Sequence, residues 1–183
     1  MLFRSQLAAI TFMVPVGVAQ ATSVLVGQAV GREDPSAARR AAGAGLLTGA
    51  GFMTLTAAVL LIFPEALARV FSNDAAVVAA AAVLLPIAGV FHVFDGVQVV
   101  GAGVLRGVAD TRVPMMLNLV GFWFVGLPVS AWLGFGAGVG PRGIWWGLAV
   151  GIGVVAVLLM ARVRSRFGRS LRRVTIDQET PEA

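Results

Sequence analysis

Long uncharged runs separated by short charged stretches are the dominant pattern along this chain. Four of the runs are bounded by charged residues: Arg4 to Arg32, Arg40 to Glu65, Arg112 to Arg142 and Arg142 to Arg162. A fifth, from Ala75 to Leu105, contains a single charged residue, Asp95. About 20 apolar residues cross the hydrocarbon of a bilayer as a helix. The pattern therefore predicts five transmembrane helices, near residues 5–30, 42–63, 76–105, 114–135 and 143–161.

A helical bundle is the fold class that this pattern favours. Backbone polar groups in lipid must pair within a helix or a closed barrel, and none of the runs alternates with the period of two that a barrel strand requires. The composition agrees, since 58% of the residues are hydrophobic and 13% charged, against about 25% charged in a soluble domain. We expect an all-α, multi-pass membrane protein with transmembrane helices within residues 1–165 and a basic, then acidic tail at 166–183.

Composition also excludes several classes of site. The chain has no cysteine and one histidine, which leaves no disulfide framework and no zinc ligand set. The pI of about 11.6 would suit nucleic-acid binding, but six of the fourteen arginines lie between Arg162 and Arg173, directly after the last span. A basic cluster in that place is typical of a cytoplasmic anchor that faces lipid. We therefore expect membrane lipid, and no nucleic acid, as a partner.

The placement of arginine predicts the orientation. With five spans, the 31–41 loop, the 106–112 loop and the tail share one side and carry eleven arginines, against three on the other side. The positive-inside rule places the arginine-rich side, with the tail, in the cytoplasm. Met1 is then outside, although no cleavable signal is evident. Either the first span inserts with its N-terminus outside, or an odd number of helices precedes it.

Small and polar residues within the spans indicate helix contacts. Pairs of glycines four residues apart allow two helix backbones to approach closely, and they occur at Gly27 and Gly31, Gly45 and Gly49, Gly103 and Gly107, and Gly147 and Gly151. In the first span Gln20 lies on a stripe with Ser23 and two of these glycines. The stripe is either packed against a neighbouring helix or faces water, and Gln20 is a candidate neighbour of a bound cation or substrate.

Asp95 is the sharpest candidate for a functional residue. An aspartate at mid-span costs about 2.5–3.5 kcal/mol on insertion scales, so it should face protein or a wet cavity. At helical spacing Phe91, His92 and Gln98 flank it, and no arginine lies in the same span. Such a carboxylate could hold a proton or a metal ion. The structural alternative is that Asp95 hydrogen-bonds a neighbouring helix or His92, and that His92 is a packing residue.

Three stretches of the sequence resemble one family of transporters. The string FHVFDGVQVVGAGVLRGVADTRVPM, 91–115, is similar to a segment of the multidrug and toxic compound extrusion (MATE) transporters of the NorM type. MVPVGVAQATSVLVGQAVGREDPSAARRAA, 13–42, resembles their eighth helix and the loop after it, and GLPVSAWLGFGAGVGPRGIWWGLAVG, 126–151, resembles their last two helices. The resemblance covers residues 5 to about 165. It implies helices eight to twelve, most of the C-terminal lobe of a twelve-helix, two-lobed protein, so that seven helices, an odd number, would precede them.

The resemblance also implies a function. The family exports drugs in exchange for sodium ions or protons by alternating access between two lobes. Asp95 falls on the acidic residue of the tenth helix that is implicated in cation coupling, and His92 falls where many relatives have glutamine. The expected partners are hydrophobic cationic small molecules, which Phe91 and Phe94 could contact, and the missing N-terminal lobe. No cofactor is expected beyond the coupling ion, and the implied location is the inner membrane of the cell.

Two other classes of membrane protein remain alternatives. A flippase of lipid-linked sugars, from a related superfamily, would be expected to carry arginines inside several spans, whereas every arginine here lies at a span edge or in a loop. A non-transporting membrane protein would not need Asp95. An enzyme would need a nucleophile or paired acids, and Asp95 with His92 supplies neither.

Overall fold

The computed structural model describes the backbone of residues 2–168 and the side chains of residues 13–168. Its elements are all helical over this range. They are α1 Leu2–Gly31, α2 Pro35–Ile62, α3 Pro64–Phe71, α4 Ala75–Gly107, α5 Arg112–Val120, α6 Leu127–Ala131 and α7 Pro141–Gly168, with π turns at Gly121–Gly126 and Trp132–Gly136.

The five predicted spans are confirmed as helices long and apolar enough to cross a membrane. The first runs from Met13 to Gly31 within α1, and α2, α4 and α7 are each one span. The fourth span, Arg112–Gly136, consists of α5, α6 and the two π turns, which follow one another without a break. The predicted all-α fold class is therefore confirmed.

Helix boundaries differ from the prediction where capping extends a helix beyond its apolar run. The α2 helix begins at Pro35, before the predicted start at residue 42. The Asp34 carboxylate accepts hydrogen bonds from the backbone N–H groups of Ser36 and Ala37, at 3.0 and 2.9 Å, and proline suits the first helical position. At the other end of the chain α7 continues to Gly168. The predicted tail beyond Gly168 and the placement of Met1 lie outside the described residues.

A short helix that the sequence pattern did not predict, α3, connects α2 to α4. It is amphipathic, with an exposed ion pair between Glu65 and Arg69 at 3.9 Å, and it packs against α4. Asp74 then caps α4 by accepting a hydrogen bond from the backbone N–H of Ala76 at 2.8 Å.

The α4 helix is the centre of the bundle. It contacts α1, α2, α3 and α7, while the Arg112–Gly136 span packs along α7. Glycine makes the contact of α4 with α1 possible at two points: a Cβ on Gly103 would lie 2.5 Å from the carbonyl oxygen of Ala19, and one on Gly107 would lie 2.7 Å from that of Ser23. The backbones of α1 and α4 therefore touch, as small-residue packing in membranes requires.

Most glycines of the other predicted pairs also lie against a neighbouring helix. A Cβ on Gly49 would meet Val100 of α4, and one on Gly151 would lie 2.6 Å from the Cα of Gly126. Gly31 is the exception, because nothing lies within 4 Å of the position of its Cβ. That glycine ends α1 at the surface and does not form a close helix contact.

We call residues 31–35, 107–112 and 162–168 together the arginine-rich end of the bundle. The main buried cluster lies beside it and joins α1, α2, α4 and α7: Val26, Ala29, Ala38, Ala42, Val104, Leu105, Val155, Leu159, Val163 and Phe167. Arg39 of α2 donates a hydrogen bond to the carbonyl oxygen of Phe167 at 2.7 Å. The segments that the arginine count assigned to one side therefore do meet at one end of the bundle.

Candidate functional site

Asp95 lies in the middle of the longest helix. With a rise of about 1.5 Å per residue, it is about 30 Å from the start of α4 and about 18 Å from its end. Its side chain is half-buried. Within the described part of the chain it has neither a hydrogen-bond partner nor an arginine in ion-pair contact. A carboxylate in this position is costly in a membrane until a proton, a cation or another helix occupies it.

His92 lies one helical turn before Asp95 and is also half-buried. Its Nδ1 atom is shielded from solvent and has no hydrogen-bond partner among the described residues. The ring of Phe91 lies beside it, with the two ring centroids 6.4 Å apart and the planes tilted by 58°. The structure therefore brings Phe91, His92 and Asp95 together along one stretch of α4, as the helical spacing predicted.

Gln98 lies one turn after Asp95 and makes the contact that sequence reasoning missed. Its side-chain Nε2 donates a short hydrogen bond to Oδ1 of Asn118 on α5, and its own Oε1 is buried without a partner in the described residues. Asn118 is the one asparagine in the apolar span Arg112–Gly136. A lone amide in lipid is itself a signal of an interhelical hydrogen bond, so the sequence indicated such a bond but not its partner.

The remaining two candidates lie elsewhere. Phe94 lines an apolar cavity of about 410 Å³ between α4 and α7, whose wall also contains Val90, Trp146, Ala149 and Gly153. Gln20 is exposed on α1, where its Oε1 accepts a hydrogen bond from Arg106 at 3.4 Å. Because Arg106 is about 16 Å along α4 from Asp95, Gln20 does not belong to the group around the aspartate.

An ion-pair cluster at the arginine-rich end is a second polar feature. The Asp110 side chain is only 4% exposed, and its Oδ2 accepts hydrogen bonds from Nε of Arg162 and Nε of Arg166, both at 2.8 Å. Burial alone would raise the pKa of the Asp110 carboxyl, but the hydrogen bonds from Arg166 and Arg162 outweigh burial and lower that pKa below its ordinary value. The cluster ties the loop after α4 to the end of α7. Two of the arginines that we expected to face lipid are therefore paired with Asp110.

Comparison with known proteins places the chain in a family. Residues 2–132 match the family model described as MatE. The chain is 46% identical over 160 residues to "Multidrug resistance protein NorM" of Burkholderia vietnamiensis, covering 85% of this chain and 35% of that protein. It is 48% identical over 168 residues to "Probable multidrug resistance protein NorM" of Xanthomonas axonopodis pv. citri, covering 92% of this chain and 37% of that protein.

Solved structures show the same fold. The eukaryotic MATE transporter AtDTX14 superimposes with a TM-score of 0.77 at 24% identity, covering 86% of this chain and 38% of that one. An inward-facing multidrug resistance MATE family transporter superimposes with a TM-score of 0.79 at 17% identity, covering 89% and 38%. The chain thus spans about a third of the length of the relatives that it matches. Five candidate spans and these relatives make it a multi-pass membrane protein.

Proposed function

The chain belongs to the MatE family, and on that premise we propose that it supplies five helices of a multidrug efflux antiporter. In this proposal the antiporter exports hydrophobic cationic compounds in exchange for sodium ions or protons. It is a transporter without enzymatic chemistry. The names of the relatives from Burkholderia and Xanthomonas support the multidrug part of the proposal.

One observation carries the antiport part: Asp95, half-buried in the middle of the longest helix, has no hydrogen-bond partner and no arginine in ion-pair contact among the described residues. A cation crossing the hydrocarbon loses part of its water and needs a negative charge in exchange. A charged carboxylate within the membrane is unfavourable in free energy when no cation is bound to it, and this cost favours binding a proton or sodium ion. If the two conformations of the transporter bind the ion unequally, the ion shifts the equilibrium between them and drives export by alternating access.

We further propose that the chain works with the helices that its relatives contain in addition to the matched third. Exposed apolar side chains cover the bundle on several sides, among them Leu47, Leu55, Met115, Phe124 and Phe135. In this proposal one of these sides faces a second lobe across the drug cavity, and the others face lipid. The arginine-rich end lies in the cytoplasm, where anionic lipid and the positive-inside rule favour it.

The experiment that tests the proposal uses a chimera in which this chain replaces the aligned segment of the Burkholderia vietnamiensis relative. The assay is export of a fluorescent cationic dye from membrane vesicles, driven by an imposed sodium or proton gradient. The substitution Asp95→Asn keeps the shape of the side chain and removes the charge. We expect normal insertion and complete loss of gradient-driven export. The chain expressed by itself is expected to export no dye.

A matched control is available on the same helix. Asp74→Asn makes the same chemical change at the cap of α4, where asparagine caps as well as aspartate, and export should be unchanged. His92→Gln, which introduces the residue found in many relatives of the family that the sequence resembles, should be tolerated. Dye export by Asp95→Asn at the normal rate under both gradients would show that Asp95 is a packing residue, and the antiport proposal would be wrong.

A further inference from the structure

A cavity of about 320 Å³ opens between α4 and α5, beside the arginine-rich end. The α5 helix packs against α7 and the first π turn, and α4 packs against α1, α2, α3 and α7. Asn118 lies in the wall of the cavity, where its Oδ1 accepts the hydrogen bond from Gln98 of α4. The volume is at the lower end of the range of small-molecule sites, about 300–1,000 Å³. The space between the two helices is therefore large enough for part of a ligand.

The wall of this cavity changes from polar to apolar with depth. Arg106, Asp110 and Thr111 line it at the ends of the two spans that α4 and α5 belong to. Ala102 lies about 6 Å before Arg106 along α4, and Met115 belongs to the first turn of α5. Both of these apolar residues are further into the membrane than the polar group. The order suits a ligand with a polar head and an apolar tail.

Positive charge is in excess around the mouth of the cavity. The segments 106–112 and 162–168 together contain five arginines and one acidic residue, Asp110. The carboxylate of Asp110 does not repel an anion from the cavity, because its Oδ2 accepts hydrogen bonds from Arg162 and Arg166, both at 2.8 Å. Two positive charges therefore face one negative charge in that cluster.

Arg106 is the arginine in the wall of the cavity that has no acidic partner among the described residues. Its side chain is exposed, and its hydrogen bond, at 3.4 Å, is to the exposed amide of Gln20. A guanidinium group has five N–H donors, so most of them remain available. A planar pair of such donors matches the oxygens of a phosphate group.

We propose that the cavity binds an anionic phospholipid of the cytoplasmic leaflet, with the phosphate at Arg106 and Thr111 and the start of an acyl chain against Ala102 and Met115. Basic pockets between transmembrane helices on the cytoplasmic side bind anionic headgroups in this manner. The inference rests on the proposed cytoplasmic placement of the arginine-rich end and adds a specific lipid partner to it. The bound lipid joins α4 to α5 and so stabilises the bundle.

The test measures the melting temperature of the chimera in detergent, by tryptophan fluorescence, while phosphatidylglycerol is added. A ligand that binds the folded state raises the melting temperature in a saturable way, and phosphatidylcholine, which has no net charge, should raise it much less. We expect Arg106→Gln to raise the phosphatidylglycerol concentration for half the maximal increase about tenfold, the effect of losing one charged hydrogen-bond donor. Arg106→Lys should raise it less, because the charge remains and the planar fork is lost.

Two controls separate lipid binding from other roles of Arg106. Gln20→Met breaks the same hydrogen bond to Arg106 without removing the charge, and the half-maximal lipid concentration should not change. Arg164→Gln removes an exposed arginine from the same end of the bundle, outside the wall of the cavity, and should also leave it unchanged. If Arg106→Gln does not fold, Ala102→Leu decides the question, because it fills the cavity, retains every charge and should weaken lipid binding about tenfold.

Four results would overturn the inference. Phosphatidylcholine could stabilise the chimera as strongly as phosphatidylglycerol, or Arg164→Gln could weaken binding as much as Arg106→Gln, which would indicate a general effect of surface charge. Glycerol phosphate, which has no acyl chain, could give the full increase at the same concentration, and the ligand would then be a free anion. Phosphatidylglycerol could have no saturable effect, as expected if another helix of the chimera fills the cavity. The proposed antiporter fails on a different result, normal dye export by Asp95→Asn.

Discussion

Replacing Gly103 by alanine tests the closest backbone contact in the bundle. A Cβ at this position would lie 2.5 Å from the carbonyl oxygen of Ala19 and 3.0 Å from its Cα. Ordinary contacts of a Cβ begin near 3.4 Å. Both atoms belong to the backbone of α1, so no side chain can rotate away. To admit the methyl group, α1 and α4 would have to separate locally by nearly an ångström.

The expected cost follows from this geometry. Forcing one extra carbon into a packed interior costs about 1–3 kcal/mol. The separation would also weaken the neighbouring contact at Gly107, where a Cβ would lie 2.7 Å from the carbonyl oxygen of Ser23. We therefore expect Gly103→Ala to lower the free energy of unfolding by about 2 kcal/mol. For a protein of 150–250 residues this corresponds to a decrease in melting temperature of about 4–8 °C.

Gly101→Ala is the matched control, since Gly101 is also buried and lies two residues away on the same helix. The nearest atom to its new Cβ would be Cβ of Leu159 at 3.8 Å, an ordinary contact. Alanine has a higher helix propensity than glycine, so this variant should melt at the same temperature as the parent or higher. The assay is the thermal change in tryptophan fluorescence in detergent. Equal melting temperatures for the two variants would show that α1 and α4 do not touch at Gly103.

Two predictions concern the arginine-rich end. A reporter active only in the cytoplasm should be active when fused after Arg173 and silent when inserted between Arg69 and Asp74; reversed signals would overturn the proposed orientation. Asp110→Asn should destabilise the bundle by about 2 kcal/mol, because it removes the buried carboxylate charge with which two arginines pair. Since folding lowers the pKa of Asp110, this contribution is complete above its unfolded pKa of about 4 and is lost only as the pH falls through the folded value. The difference in melting temperature between Asp110→Asn and the parent should therefore be constant from about pH 5 to pH 8, and a difference that declines across that range would contradict this account.

The helical spans were predictable because lipid leaves the backbone few alternatives. An uncharged run long enough to cross the bilayer must pair its own N–H and C=O groups, so the spans follow from the sequence alone. Helix boundaries depend on local capping, such as that of α2 by Asp34. For this reason α2 begins before the charged residues that bound its apolar run. The short helix α3 was missed because eight amphipathic residues give little periodicity to detect.

The candidate site was predictable within one helix and not between helices. Helical spacing placed His92, Asp95 and Gln98 on adjacent turns of α4, and the structure agrees. The partner of Gln98 is 20 residues away in the sequence, and the two partners of Asp110 are 52 and 56 residues away. Spacing along a chain contains no information on which face of one helix meets another. Gln20 was grouped with the site for its polarity alone, and tertiary packing places it beside Arg106.

The two π turns of the Arg112–Gly136 span have an evolutionary consequence. Each π turn contains one residue more than an α turn needs, so deletion of one residue from Gly121–Gly126 would convert it to an α turn and preserve the continuity of the helix. The residues after it would rotate by about 100° relative to α5. Trp132 and Phe135, which are 67% and 82% exposed, would then present a different surface. This span can therefore gain or lose single residues during divergence, and in doing so exchange one outward face for another.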